Sequence, residues 1–234
     1  RIAISFPHPK TSYQDAARHF SSKLAIAFSP DLGGFGQVDK EMDDHLRGTL
    51  LMLENNGVEI EETCPDLSEL EKTYHTLRGI MWATAARGLP EEVRRHFKPT
   101  LAQNTAFGQS LSIDDIIDAN INRSKIYNRM VNLFEKYDVL ACPTVGCMPH
   151  IQSQEWVDNV GGVQLSGYMD WLRFAFLATT AGLPSISVPV GLGPRGLPVG
   201  LQLIGRPRGE AKLLSAARLV ELTVGGPLGP IDPI

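Results

Sequence analysis

The chain has 234 residues, 43% of them hydrophobic and 21% charged, with a formal net charge of -4. That composition describes a soluble globular protein, read as a single domain over residues 1–234, with enough length for a sizeable core. It carries no basic run to serve as an electrostatic footprint for nucleic acid, and no apolar run of membrane-spanning length.

Cys64, Cys142 and Cys147 are an odd, sparse set of thiols, which fits a reducing, cytoplasmic setting better than a disulfide framework. The N-terminus lacks the charged-then-apolar order of a signal peptide. Its first residue, Arg1, is not methionine, so the expectation is that something preceding it has been removed.

In chain order, residues 1–23 read as a surface segment with a short polar helix around Tyr13 to Phe20. Leu24 to Phe28 is a compact apolar run, a buried strand closed by Ser29, Pro30, Asp31 and Gly33-Gly34. Val38, Met42, Leu46, Leu50 and Leu53 recur at helical spacing, with Asp39 as N-cap and Gly57 placed for a left-handed C-terminal cap. Val58 to Glu62 alternates as a second strand, which completes a βαβ unit.

Ser68 and Glu71 have the spacing of a capping box and predict a helix through Leu70, Tyr74, Leu77 and Met81, stopped by Gly88 and Pro90. Pro90 suits the start of a further short helix. Ser112 and Asp115 predict the longest helix, with Ile116, Ile126, Met130, Leu133 and Tyr137 facing inward. Val139 to Cys142 is a buried strand ending at Pro143 and Thr144, and the irregular text from Val145 to Val163 is long enough to expect a functional loop. Tyr168 to Ala178 reads as helical. It delivers the chain to two period-two runs between Pro184 and Gly205, a hairpin with one aliphatic and one small or polar face. Glu210 to Leu222 closes the pattern as a helix, and the Gly/Pro tail has none.

Several familiar chemistries fail on context. Gly191, Gly193 and Gly196 satisfy G-x-G-x-x-G, but Pro194, Pro198 and the strand pattern after them deny the glycines the helix that would face a pyrophosphate. Cys142, Cys147 and His150 lack zinc-pair spacing and a second cluster, so no metal or cofactor is expected. Neither G-x-S-x-G nor S-x-x-K is present, and Ser22-Lys23 and Ser124-Lys125 are neighbours only in sequence. No catalytic residue is assigned. Gln202, on the small side of the hairpin with Gly200, is expected to fix neighbouring backbone through its amide.

Three stretches together carry a resemblance. Tyr137-Asp138-Val139-Leu140-Ala141-Cys142-Pro143-Thr144 is similar to a D-V-L-x-x-P-T strand. Trp171, Phe174, Gly182 and Pro184 are similar to W-x-x-F leading into N-x-x-G-x-P, and Gly196 to Gly205 with Glu210, Leu213, Leu214, Ala217 and Glu221 to a closing strand and helix. In this order they resemble the C-terminal part of the amidase signature family of serine hydrolases, with Ile26 to Gly33 similar to the strand that opens that part. Thr179 departs from the family's asparagine.

The resemblance implies an α/β fold with a mixed sheet and helices on both faces, present here as an incomplete half. It implies hydrolysis of carboxylic amides through an acyl-enzyme, by a Ser, cis-Ser, Lys triad upstream of the stretches matched. No counterpart of that triad is found, so the chain alone is expected to be inactive. The remaining N-terminal half is expected from the same protein or a partner subunit, with self-association possible for an unpaired half. By resemblance, Thr144, Asp170, Trp171, Phe174 and Thr179 are the substrate-facing candidates. Trp171 and Phe174, at i and i+3, suit a core as well. The alternatives are a non-catalytic α/β binding or assembly module, and the glutamine-hydrolysing subunit of a tRNA-dependent amidotransferase.

Overall fold

The computed structural model describes residues 9, 11–19 and 23–226. Most of the first ten residues, residues 20–22 and the Gly/Pro tail from 227 onward, with the readings made for them, lie outside the described residues.

Ser12 opens α1 (Tyr13–Arg18) by accepting the Asp15 amide. β1 (Ala25–Phe28), α2 (Lys40–Asn55) and β2 (Glu59–Glu62) form the expected parallel unit, with Ile26 opposite Ile60. Met42, Leu46, Leu50 and Leu53 of the expected stripe are buried on α2 as their spacing requires, while Val38 precedes the helix and is half-buried. Gly57 has φ of 86°, the left-handed backbone that favours glycine. Asp39 stands at the N-cap position, but its carboxylate accepts the Gly161 amide at 2.7 Å instead of capping α2.

The box expected from Ser68 and Glu71 does not form. α3 (Leu70–Arg87) starts one residue later, with Glu69 at the cap position. The acidic residues are engaged in tertiary ion pairs, Glu69 with Arg129 at 2.6 Å and Glu71 with Arg173 at 2.7 Å. After α4 (Glu91–Arg94) comes α5 (Pro99–Ser110), for which the sequence offers no periodicity because only Thr105 is buried. Glycine contact holds it instead: a Cβ on Gly108 would lie 1.9 Å from the Gly79 carbonyl oxygen, so the α3 and α5 backbones meet where both side chains are missing.

The capping box of α6 (Ile113–Lys136) forms in full between Ser112 and Asp115. Ile126 and Met130 are buried as expected, joined by Phe134, while Ile116 and Leu133 are half-buried. β3 (Val139–Pro143) is buried at every residue. The long loop contains a small hairpin of β4 (Asn159–Val160) and β5 (Val163–Gln164), and the expected helix near Tyr168 is a 3-10 segment, Asp170–Ala175, running into α7 (Phe176–Ala181). Then follow β6 (Ser185–Leu192), β7 (Pro198–Gly205) and α8 (Glu210–Thr223).

The main sheet has the order β2-β1-β3-β7-β6. β3 lies parallel to β1 and antiparallel to β7, which makes the sheet mixed. On one face Ile26, Val139, Leu201 and Leu203 pack against Leu46 and Leu53 of α2 and Leu213 and Val220 of α8. On the other, Ala27, Leu140 and Ile204 pack against Tyr74, Met130, Phe134 and Phe176. Two buried faces explain why β1 and β3 read as continuous apolar runs rather than alternating ones.

Asp170 fastens the 3-10 segment. One carboxylate oxygen accepts the Ser166 amide, the Ser166 hydroxyl and the Gly167 amide at 2.9, 2.8 and 3.0 Å, and the other meets Arg173 at 3.1 Å. Burial alone would raise its pKa, but Ser166 and Arg173 outweigh burial and hold the carboxyl below its ordinary value.

Gly108→Ala is expected to lower the unfolding free energy by about 1–3 kcal/mol in urea titrations. Gly48→Ala, on an open face of α2 with nothing within 4 Å of the added Cβ, is expected to raise it by about 0.5–1 kcal/mol. Asp170→Asn is expected to destabilise the protein at neutral pH. A carboxyl with a depressed folded pKa stabilises above its unfolded value of about 3.9 and loses that contribution as pH falls through the folded value. The difference between wild type and Asp170→Asn should therefore shrink below about pH 4 in thermal melts.

Candidate functional site

Parallel strands present their carboxyl ends as natural sites for ligands. Beyond the end of β3 lies a cleft of about 310 Å³, formed by Thr144 to His150 of the loop, Trp171, Ser187 and Pro189 of β6, and Pro198 to Gly200 of β7, with Met42 of α2. Its polar feature is a hydroxyl pair, with Thr144 Oγ1 and Ser187 Oγ 2.7 Å apart. Gly200 makes the pair possible, since a Cβ there would stand 2.8 Å from both oxygens. The Thr144 amide donates to the Gly200 carbonyl at 3.2 Å and anchors the loop to β7.

Apart from His150, apolar groups form the remaining walls. Trp171 is half-buried, meets His150 edge-on at 5.6 Å, and packs on the cluster of Cys147, Val157, Val160 and Leu165. A site of this kind can hold an apolar body and offer one hydroxyl anchor that both donates and accepts. The thiols stay protonated near neutral pH: burial pushes Cys142 up to about 12, and Cys64 and Cys147 each up to about 11. Cys142 and Cys147 belong to separate apolar clusters. Among the described residues, no group of three or more His, Cys, Asp or Glu side chains could hold a metal ion, and no helix is long and apolar enough to cross a membrane.

The structure brings together two of the five candidates, Thr144 and Trp171, along with the loop that follows Thr144. Phe174 is a core residue, 1% exposed, packed against the glycine backbone at Gly36 and Gly146. Asp170 lines a different groove, of about 530 Å³, with Glu71, His75, Thr100 and Phe107. Thr179 is exposed at a third cavity, of about 120 Å³, beside Tyr74, Leu77, Arg78 and Met81. Helical spacing from Trp171 cannot carry Phe174, Asp170 and Thr179 to one wall, because a 3-10 turn and an α-turn follow each other there. Ser187 is the cleft residue that sequence reasoning missed. Its signal was the small face of the hairpin, on which it alternates with Ser185 and Pro189.

Gln202 acts as its position suggested. Its amide nitrogen donates to the Phe174 carbonyl at 3.0 Å and to Cys142 Sγ at 3.2 Å, and its oxygen accepts from the Ser185 hydroxyl at 2.9 Å. Of the glycines of the false dinucleotide motif, Gly191 lies in β6 at its register shift, and Gly193 and Gly196 form the hairpin turn, where the Gly193 amide donates to the Leu197 carbonyl at 2.8 Å.

Known proteins share this architecture and sequence. Residues 3–214 match the Amidase family. A fatty acid amide hydrolase of Arabidopsis thaliana is 32% identical over 186 residues, which cover 77% of this chain and 30% of that protein. A glutamyl-tRNA(Gln) amidotransferase subunit of Gluconobacter oxydans is 32% identical over 146 residues, covering 62% of this chain and 28% of its own length. A bacterial aryl acylamidase of the amidase signature enzymes superposes with a TM-score of 0.80 at 20% identity, over 95% of this chain and 50% of that one, a likeness of fold. The chain thus spans half or less of the length of each of these proteins. With the family matched from residue 3 to residue 214 and the mixed sheet of its structures reproduced, the chain belongs to the Amidase family.

Proposed function

We propose that this chain supplies a substrate-binding wall of an enzyme that hydrolyses carboxylic amides to an acid and ammonia or an amine. The Ser, cis-Ser, Lys triad and the oxyanion donors of that enzyme lie on protein outside these 234 residues. The observation that carries this reading is the cleft at the end of β3, apolar around the Thr144 and Ser187 hydroxyls, in a chain of the Amidase family. The lysine, acting through the bridging serine, takes the proton of the nucleophilic serine as its oxygen attacks the amide carbonyl. The tetrahedral oxyanion collapses, the amine leaves with that proton, and water releases the acid from the acyl-enzyme.

In this reading the apolar walls of the cleft take the apolar part of the substrate, Thr144 and Ser187 anchor a polar atom, and Trp171 closes one side. Asp170 and Phe174 serve by positioning Trp171. Thr179 faces a separate cavity and is not assigned to this cleft. A relative named for fatty acid amides supports an apolar acyl group. The amidotransferase relative supports a second reading, glutamine hydrolysis. Glutamine carries an α-ammonium and an α-carboxylate that need ionic partners, and the cleft around Thr144 is lined by hydroxyls, His150 and apolar side chains, with no carboxylate, lysine or arginine.

Formation of a hydroxamate from an amide and hydroxylamine tests the proposal. The isolated chain is expected to form none, and a protein that also contains the triad-bearing portion is expected to form it from aryl or long-chain acyl amides faster than from glutamine. Hydroxamate from the isolated chain would contradict the placement of the triad, and a preference for glutamine would contradict the substrate class. In the active protein, Trp171→Ala is expected to raise KM for apolar acyl amides by about tenfold, with a smaller change in kcat, from lost apolar contact worth about 1.4 kcal/mol.

A further inference from the structure

The half-buried arginines of the helical layer are treated unequally. Arg129 pairs with Asp66 and Glu69, and Arg173 with Glu71 and Asp170. Arg78, on α3 and also half-buried, makes no ion pair or hydrogen bond among the described residues. Its guanidinium lies 5.7 Å from the centre of the Trp82 ring, and its Nε is shielded from solvent without an acceptor. That one nitrogen loses hydration without gaining a partner, which costs free energy until an acceptor arrives.

Arg78 lines two cavities. One, of about 290 Å³, adds Trp82, Thr100, Asn104 and the ion pair of Lys98 with Glu155, 3.8 Å apart. The other, of about 120 Å³, has Tyr74, Leu77 and Met81 as apolar walls and Thr179 and Thr180 beside them. Thr180 is 1% exposed, and its hydroxyl has no partner either. The setting therefore combines a planar cation that no carboxylate pairs with among the described residues, a buried hydroxyl in need of a partner, and a small apolar chamber, while Lys98 nearby is already matched by Glu155.

We propose that Arg78 and the two cavities it lines form a binding site for a small monocarboxylate with a compact apolar body. The carboxylate takes the place at Arg78 that Glu69 fills for Arg129, in the planar geometry that guanidinium groups favour. The apolar body lies against Tyr74, Leu77 and Met81. Inorganic phosphate would satisfy the charge but leave that chamber without a partner. The proposal does not depend on amide hydrolysis and is read by binding alone.

Titration calorimetry of the protein at low ionic strength tests it, with benzoate as probe and benzyl alcohol and inorganic phosphate as comparisons. Benzoate is expected to bind, and each comparison ligand to bind at least about tenfold more weakly, the loss of one charge-assisted contact or of the apolar contact. Arg78→Gln is expected to weaken benzoate by about tenfold or more with at most a small drop in thermal midpoint, because Arg78 has no ion pair to lose and only its contact with the Trp82 ring goes. Arg78→Lys is expected to fall between the two, and Ser187→Ala, which alters only the cleft at the end of β3, to bind benzoate like wild type. Absence of benzoate binding, or benzyl alcohol or phosphate matching benzoate, would overturn the proposal on the unmodified protein alone. Unchanged binding in Arg78→Gln, or loss of binding in Ser187→Ala, would overturn the location.

Discussion

Gln202 is 8% exposed and uses both ends of its side-chain amide. The oxygen accepts from Ser185 on β6, while the nitrogen reaches Cys142 on β3 and the carbonyl of Phe174 in the 3-10 segment. The two edges of the cleft and the segment that brings Trp171 to it thus meet at one side chain. Water cannot replace these bonds at that depth, so an apolar residue at 202 would leave the Phe174 carbonyl without this donor. Packing reinforces the arrangement, since the Phe174 ring lies against Gly36 and Gly146, where a Cβ would collide with it.

The cleft forms where the sheet changes character. β1 and β3 run parallel and β7 runs against them, so the carboxyl end of β3 lies beside the start of β7 and the middle of β6. Loop residues after Thr144 can then face strand residues Ser187 and Gly200 across a short gap. Gly200 lets two hydroxyls approach, and Gly146 lets the loop pass the Gln37 carbonyl, 1.7 Å from where its Cβ would be. The pocket's shape depends on missing side chains as much as on those present.

Much of the fold was legible in the sequence because its signals were local. The aliphatic alternation of β6 and β7, the stripe of α2, the capping box of α6 and the apolar run of β3 each express burial or hydrogen bonding within a few residues. What was not legible depends on distant partners. α5 has almost no buried face and is held by the contact between Gly79 and Gly108. Glu71 had the spacing of a cap, yet pairs with Arg173, 102 positions away in the chain. The site divided in the same way. Thr144 follows from the end of a strand and Ser187 from an alternation, whereas the burial of Phe174 and the turning away of Asp170 and Thr179 follow from how the 3-10 segment docks on the sheet.

The Gln202 amide fastens the 3-10 segment and α7 to the sheet and so holds Trp171 at the cleft. Amide hydrogen exchange of Gln202→Leu, read by mass spectrometry on peptides, tests it directly. Faster exchange confined to residues 170–181, with β1 and β3 as protected as in wild type, is the predicted result. Unchanged exchange in 170–181, or a uniform acceleration across the whole sheet, would contradict it.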